Sequence, residues 1–298
     1  MFEDLRRKAN GLYSPYTRDR RNIEKKSERV ADRESAFFAE EAKPSWAHYD
    51  SPPDDQFLKM GDGLEGFGDL MSFQDVKDWV QKQHDNQRKV ASIDVFGQPG
   101  LGLAAGVDKA IGWSLHDWRA YEVRGKDLRE KMIPGSVFDV ASRKKVFQEL
   151  DEANAEGIAL GLVFFRPWSG VTEFQNSRYA HLYLYEFILR PLYERLDEGG
   201  MMLLASQNLA GMHLLFNLLE KSGMGHVATN DTRQSYLIKK SKEIPQLRSL
   251  GDMGNLSDIG LEFLAAELEN ILPSRTVRWA HRAIISKLRK KLSRTKKQ

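Results

Sequence analysis

Two apolar runs, 226–229 and 235–238, stand so close together that no helix fits between them. Only Asn230-Asp231-Thr232-Arg233 and Gln234 intervene, whereas a crossover joining parallel strands needs a dozen residues or more. The pair is therefore expected to form an antiparallel hairpin. The runs before it obey the opposite rule. Those at 90–96, 110–115, 136–140, 158–165 and 201–205 are separated by longer stretches, with helices expected around 126–132, 142–155, 177–198 and 209–222. Apolar strands alternating with helices predict a parallel sheet covered on both faces. The expected architecture is an α/β fold: a seven-stranded, mostly parallel sheet ending in an antiparallel hairpin, with helices on both faces and a helical C-terminal extension.

The segments outside this alternation have a different composition. Residues 1–71 show weak periodicity, and from Ala31 to Ser72 acids outnumber bases ten to three, with Pro44, Pro52, Pro53 and a glycine cluster at 61–68. Such a segment forms a core poorly, so 1–71 is expected to be an extended or partly disordered arm. Ser72 is a good N-cap for a helix running to Arg88 with Val76, Trp79 and Val80 on one face. The expected units are therefore the arm at 1–71, an α/β domain at 72–240 and a helical extension at 241–298. A helix is expected at 257–272, stopped by Pro273, followed by a basic helix.

Charge singles out the last of these. Residues 274–298 hold ten of the 45 Lys and Arg and none of the 42 acids, so the net charge of +3 resides in the tail and the rest of the chain is net acidic. The tail suits either its own domain, through the stripe Val277, Ala280, Ile284, Leu288 and Leu292, or nucleic acid or an anionic surface. Cysteine is absent, which excludes a disulfide scaffold and a cysteine-ligated metal. The seven histidines lie far apart, so no metal site is expected. The N-terminus has no apolar run behind its charges and no stretch approaches the roughly 20 apolar residues of a membrane span. The expectation is a cytoplasmic protein.

The densest local signal is Asp94-Val95-Phe96-Gly97-Gln98-Pro99-Gly100-Leu101-Gly102. Glycines after a strand let the backbone turn sharply and approach a ligand where a β-carbon would clash. In an open α/β sheet the crevice at the carboxyl ends of the strands is the default binding site. Asp94 lies inside the strand, where a purely structural apolar strand would not place a carboxylate. Asp117 follows the second strand, where a carboxylate can accept hydrogen bonds from both ribose hydroxyls.

Taken together, Asp94 through Gly102, the second-strand acid and the terminal hairpin resemble the Rossmann-like class I S-adenosylmethionine-dependent methyltransferases, over roughly half of the chain. The resemblance implies a methyltransferase with S-adenosylmethionine as cofactor and an acceptor left unspecified. It implies that Asp94, Phe96, Gly97, Pro99, Gly100 and Gly102 line the methionine and ribose side, with Asp117 on the ribose. Ser136 and Val137 after the third strand and Phe165 at the end of the fourth complete the expected cofactor set. Gly100-Leu101-Gly102-Leu103-Ala104-Ala105 also satisfies the G-x-G-x-x-A dinucleotide fingerprint, which makes a nicotinamide oxidoreductase an alternative. Against it, Asp94 lies upstream of the turn, and the standard dinucleotide fold continues with parallel strands.

The pattern departs from the family at two strand ends. After the third strand, where methyltransferases carry an acid for the adenine amino group, Ser136 stands, and Asp139 reads equally as a helix N-cap. At the fourth, Phe165 and Arg166 replace the polar residue and proline of the amino-methylating enzymes, which argues against adenine or cytosine amino-methylation. Arg166 and Trp168 suit an anionic or planar partner, and with His116 they are the candidate catalytic residues. A non-catalytic relative that binds a partner or nucleic acid through the tail is the second function class.

Overall fold

A computed structural model of the chain describes residues 2–41, 71–97, 100–115, 122–123, 126–127, 132–165, 178–205, 212–223, 226–229, 235–254, 256 and 259–260. The strands are β1 (Lys89–Val95), β2 (Lys109–Ser114), β3 (Met132–Pro134), β4 (Ile158–Phe165), β5 (Leu196–Ala205), β6 (His226–Thr229) and β7 (Ser235–Lys239). The helices are α1 (Phe2–Leu12), α2 (Arg20–Glu41), α3 (Phe73–Asp85), α4 (Gly100–Ala105), α5 (Val140–Ala155), α6 (178–195) and α7 (Met212–Lys221). Along the sheet the order is β3-β2-β1-β4-β5-β7-β6. Neighbours from β3 to β5 run parallel, and β7 enters antiparallel to both β5 and β6. The mostly parallel sheet closing in an antiparallel pair is what the short connection before β7 requires.

The chain leaves β1 toward β2 and β3, then returns across β1 to β4. That reversal opens a crevice at the carboxyl ends of β1 and β4. Side chains alternate across the sheet. Ile93, Val95, Val163 and Phe165 join the core beneath α5, α6 and α7, whereas Val90, Leu162 and Phe164 join the core beneath α3 and α4. The same alternation turns Ser92 and Asp94 toward α4. Helix α3 starts on a capping box, with Ser72 accepting from Asp75 N and Asp75 accepting from Ser72 N, and buries Val76 and Val80.

Three expectations are corrected. The third strand is Met132–Pro134, not 136–140. Val137 and Phe138 are buried inside a turn, so their apolar character reflects packing rather than strand periodicity. No helix spans 126–132, because Lys126–Asp127 pairs with Glu122–Val123 as a short antiparallel ladder and Met132 opens β3. The described part of the arm is helical, not extended. Among the described side chains of α2 the buried ones are Ile23, Ser27, Val30 and Glu34, at spacings of four, three and four that trace one helical face. Residues 42–70 and the basic tail at 274–298 lie outside the described residues. Of the helix expected at 257–272, only 259–260 fall within them, and they are helical.

Helix α6 proceeds as Arg178–Tyr183, a π-helical stretch Leu184–Leu189, and Arg190–Arg195. The π stretch carries Glu186, only 1% exposed. Its carboxylate meets Arg20 Nη1 at 3.0 Å, Arg190 Nη2 at 3.1 Å and the Leu250 N–H at 2.9 Å. One buried charge thus joins α2, α6 and the segment after β7. Arg18 strengthens the junction by donating to the carbonyls of Leu250, Met253 and Gly254. Tyr185 and Tyr193 reach the same segment through Arg248 O and Ile244 O. Removing one partner of a buried ion pair costs about 3–5 kcal/mol, and the half-exposed Arg20 places this case at the low end. Glu186→Ala is expected to lower urea stability by about 3 kcal/mol and to speed hydrogen exchange at the Leu250 amide. Unchanged exchange there would show that the segment is held independently.

Candidate functional site

The tip of β1 forms the floor of the crevice. Phe96 is in the left-handed region, at φ 69°, an unfavourable conformation for a residue with a β-carbon, costing on the order of 1 kcal/mol or more. It is held there by a hydrogen bond from its N–H to Trp113 O at 2.8 Å and by a bridge between Gly97 and Trp113. Its ring packs edge-on against Phe165 at 5.4 Å and tilted against Phe138 at 6.3 Å. The ends of β1 and β4 and the turn after β3 therefore converge on one aromatic cluster, which extends through Tyr183 of α6.

Asp94 is 1% exposed and its carboxylate lies directly against the glycine turn. A β-carbon at Gly97 would fall 2.3 Å from Asp94 Oδ1 and 2.8 Å from Oδ2, so glycine is required for the turn to close over the acid. Gly102 has a packing task. A β-carbon there would stand 1.8 Å from Ser92 Oγ and 3.3 Å from Ala110 Cβ, so its absence lets α4 seat on β1 and β2. Gly100, buried, begins α4. The structure thus brings Asp94, Phe96, Gly97, Gly100 and Gly102 together at one end of β1, with Phe165 beside them. Pro99, His116, Asp117, Arg166 and Trp168 lie outside the described residues. Gly102→Ala is expected to cost about 2 kcal/mol in urea denaturation. In a Ser92→Ala background the same change is expected to cost less than about half of that. Equal costs would place the crowding elsewhere.

Ser136 and Val137, buried behind β3, form the adjacent wall. The Ser136 hydroxyl accepts from the Phe138 N–H at 3.1 Å and donates to Glu34 of α2. Asp139 caps α5, accepting from Ser142 N at 2.7 Å, so the N-cap reading of that acid holds. The acid that does reach this wall is Glu34, which the sequence reading missed. It is 5% exposed, and burial pushes its carboxyl up to about 7, the Ser136 hydrogen bond opposing that rise only in part. In pattern terms it was legible only as the last position of the stripe at 23, 27, 30 and 34.

The raised value has a stability consequence. Folded protein holds the Glu34 proton up to about pH 7, whereas the unfolded chain releases it near 4.5. The contribution is therefore fully present below 4.5 and lost as pH rises through 7. Between pH 5 and 8, wild type is expected to lose about 2 kcal/mol relative to Glu34→Gln, measured by urea unfolding at each pH. Parallel pH curves would rule this out.

An open groove of about 1090 Å³ lies between α2, α5 and α6, away from the crevice. Most of its cations are engaged: Arg143 with Glu24, Arg190 with Glu186 and Glu194, and Arg195 with Asp151. Among the described residues no cluster of His, Asp or Glu could hold a metal ion, and no helix is long and apolar enough to cross a membrane.

No protein-family model matches the chain, and no curated protein does. Among solved structures, the chain is similar to a protein from Streptococcus mutans described as a SAM-dependent methyltransferase, at 16% identity and a TM-score of 0.30, covering 54% of this chain and 48% of that one. It is also similar to the MycE methyltransferase of the mycinamycin biosynthetic pathway, solved with Mg and SAH, at 11% identity and a TM-score of 0.32, covering 64% and 49%. The chain spans about half the length of each.

Proposed function

We propose that the crevice at β1 and β4 binds S-adenosylmethionine and that the chain is a methyltransferase whose acceptor is unspecified. The observation that carries this reading is the position of β7. The standard dinucleotide-binding order continues past its fifth strand with another parallel strand. Here an antiparallel strand is inserted between β5 and β6, which disfavours the nicotinamide alternative that the glycines alone leave open.

The described residues suit such a ligand chemically. S-adenosylmethionine is a cationic, amine-bearing molecule with a planar base, and around the crevice stand the carboxyls of Asp94, under the glycine turn, and Glu34, on Ser136, together with the partly exposed Phe96 ring, which packs on the buried rings of Phe138 and Phe165. When bound, the cofactor supplies a methyl group already activated on a sulfonium. The chain's own work is then to orient and to exclude water. Asp94 braces the turn from beneath, Phe96 holds its strained backbone over the ring cluster, and Ser136 fixes the wall after β3. Arg166 and Trp168 remain the residues proposed for the acceptor side, with His116 as the third catalytic candidate. A non-catalytic binding protein of the same fold is the second reading, favoured by Phe165. At the end of β4 it presents a ring fully buried against Phe96, with no side-chain group to accept a hydrogen bond from a substrate amine.

Calorimetric titration with S-adenosylmethionine, S-adenosylhomocysteine and NAD separates the readings. Binding of the first two is expected, weakened at least tenfold, about 1.4 kcal/mol, in Asp94→Asn, which preserves the shape of the side chain. Binding of NAD alone would overturn the proposal. Binding of the cofactor with no labelled methyl passed to any nucleic acid, protein or small-molecule acceptor fraction would favour the non-catalytic reading.

A further inference from the structure

Helix α2 lies outside the α/β domain in sequence, yet it delivers a carboxyl to the wall of the crevice. Glu34 is buried, and among the described residues its one hydrogen bond comes from Ser136 Oγ to Oε2. It forms no ion pair there. A buried carboxyl with one oxygen unused is expensive, since desolvation of a polar group is offset only by the hydrogen bonds it makes. The described packing of α2 does not need it. Ile23 and Val30 supply the apolar contact, Ser27 bonds Tyr179 O, and Glu24 pairs with Arg143. An alanine at position 34 would complete the same face without the penalty. The Ser136 hydroxyl also has no donor capacity left, because its single proton is committed to Glu34.

We infer that Glu34 is a ligand-binding residue, whose unused oxygen, with the carboxyl ionised, accepts a hydrogen bond from an N–H or ammonium group of the molecule in the crevice, so that the N-terminal arm closes the site. This rests on the proposed function for the identity of the ligand. The arm is then part of the binding site and not a separate appendage: Ser136 orients the carboxyl through one oxygen, and the ligand takes the other. The ion pairs of Glu24 and Glu186 hold the helix at the register that places position 34 beside Ser136.

The test is calorimetry of the full chain with S-adenosylhomocysteine and two analogues, one with the base amino group replaced by oxygen and one lacking the α-amino group. Glu34→Ala is expected to weaken S-adenosylhomocysteine at least tenfold. One of the analogues is expected to bind wild type about tenfold more weakly than the parent, yet to bind Glu34→Ala as well as the parent does, and that analogue identifies the donor. Glu34→Gln guards against misfolding of the alanine variant. It preserves size but keeps one acceptor oxygen, which Ser136 occupies, so it too loses ligand affinity. Parent binding within twofold of wild type in both variants, or analogue penalties that persist in both, would overturn the inference while leaving the cofactor assignment standing. Absence of binding to wild type would overturn the cofactor assignment and this inference together.

Discussion

A carboxylate at the centre of a packed helix has to be neutralised on every side or the helix will not stay there. Glu186 meets that requirement with two guanidinium groups and a backbone N–H drawn from three separate parts of the chain. The π-helical stretch around it widens the local turn, a distortion seen often where a helix serves a special task. The consequence reaches well past position 186. Arg20 is the first residue of α2, and Leu250 belongs to the segment after the last strand. Their common partner fixes the arm and the C-terminal segment against the same helix. Burying the charge is costly, and the return is geometric: three elements far apart in sequence acquire one registration.

That registration determines what the crevice contains. The sheet alone supplies a strained Phe96, an acid beneath a glycine turn and a ring cluster across three strand ends. The arm adds a second acid on the adjacent wall, against Ser136. The two carboxyls are supported differently. Asp94 lies under backbone, wedged where a Gly97 side chain would stand, and its position follows from the turn itself. Glu34 depends on a helix whose described buried side chains alternate apolar and polar. The crevice therefore has one wall as rigid as the sheet and one whose presence depends on polar contacts made at a distance.

The legibility of the chain follows the same division. The hairpin, the central strands and the helices at 142–155 and 209–222 were readable because each buries an apolar face of its own, and the periodicity records it. The third strand was not, because Val137 and Phe138 are buried by a turn that packs against Phe96 and Tyr183, and no local pattern separates that from a strand. The arm was misread for a sharper reason. Its buried stripe is Ile23, Ser27, Val30 and Glu34, in which every second member is polar. Ser27 and Glu34 are interior because they hydrogen-bond to Tyr179 O and Ser136, not because they are hydrophobic. A moment or a composition count sees only a charged, mixed segment. Asp94 was legible as anomalous, an acid in an apolar strand. Glu34, an acid among acids, was not.

A helix that docks by such a stripe is sensitive to its surroundings in a way that a greasy one is not. Among its described side chains the two buried apolar ones, Ile23 and Val30, contribute a few kcal/mol of burial, which is comparable to what the polar contacts at its ends supply or withdraw. Hydrogen bonds and ion pairs are directional, so the helix has one docking register in which Ser27, Glu24, Arg20 and Glu34 all meet their partners together, and sliding by a residue would break all four. The arm is thus well specified in position. If Glu34 binds the ligand as proposed, occupancy of the crevice and seating of the arm influence one another: the ligand contact stabilises the seated α2, and by reciprocity the seating of α2 alters affinity at the crevice by the same factor.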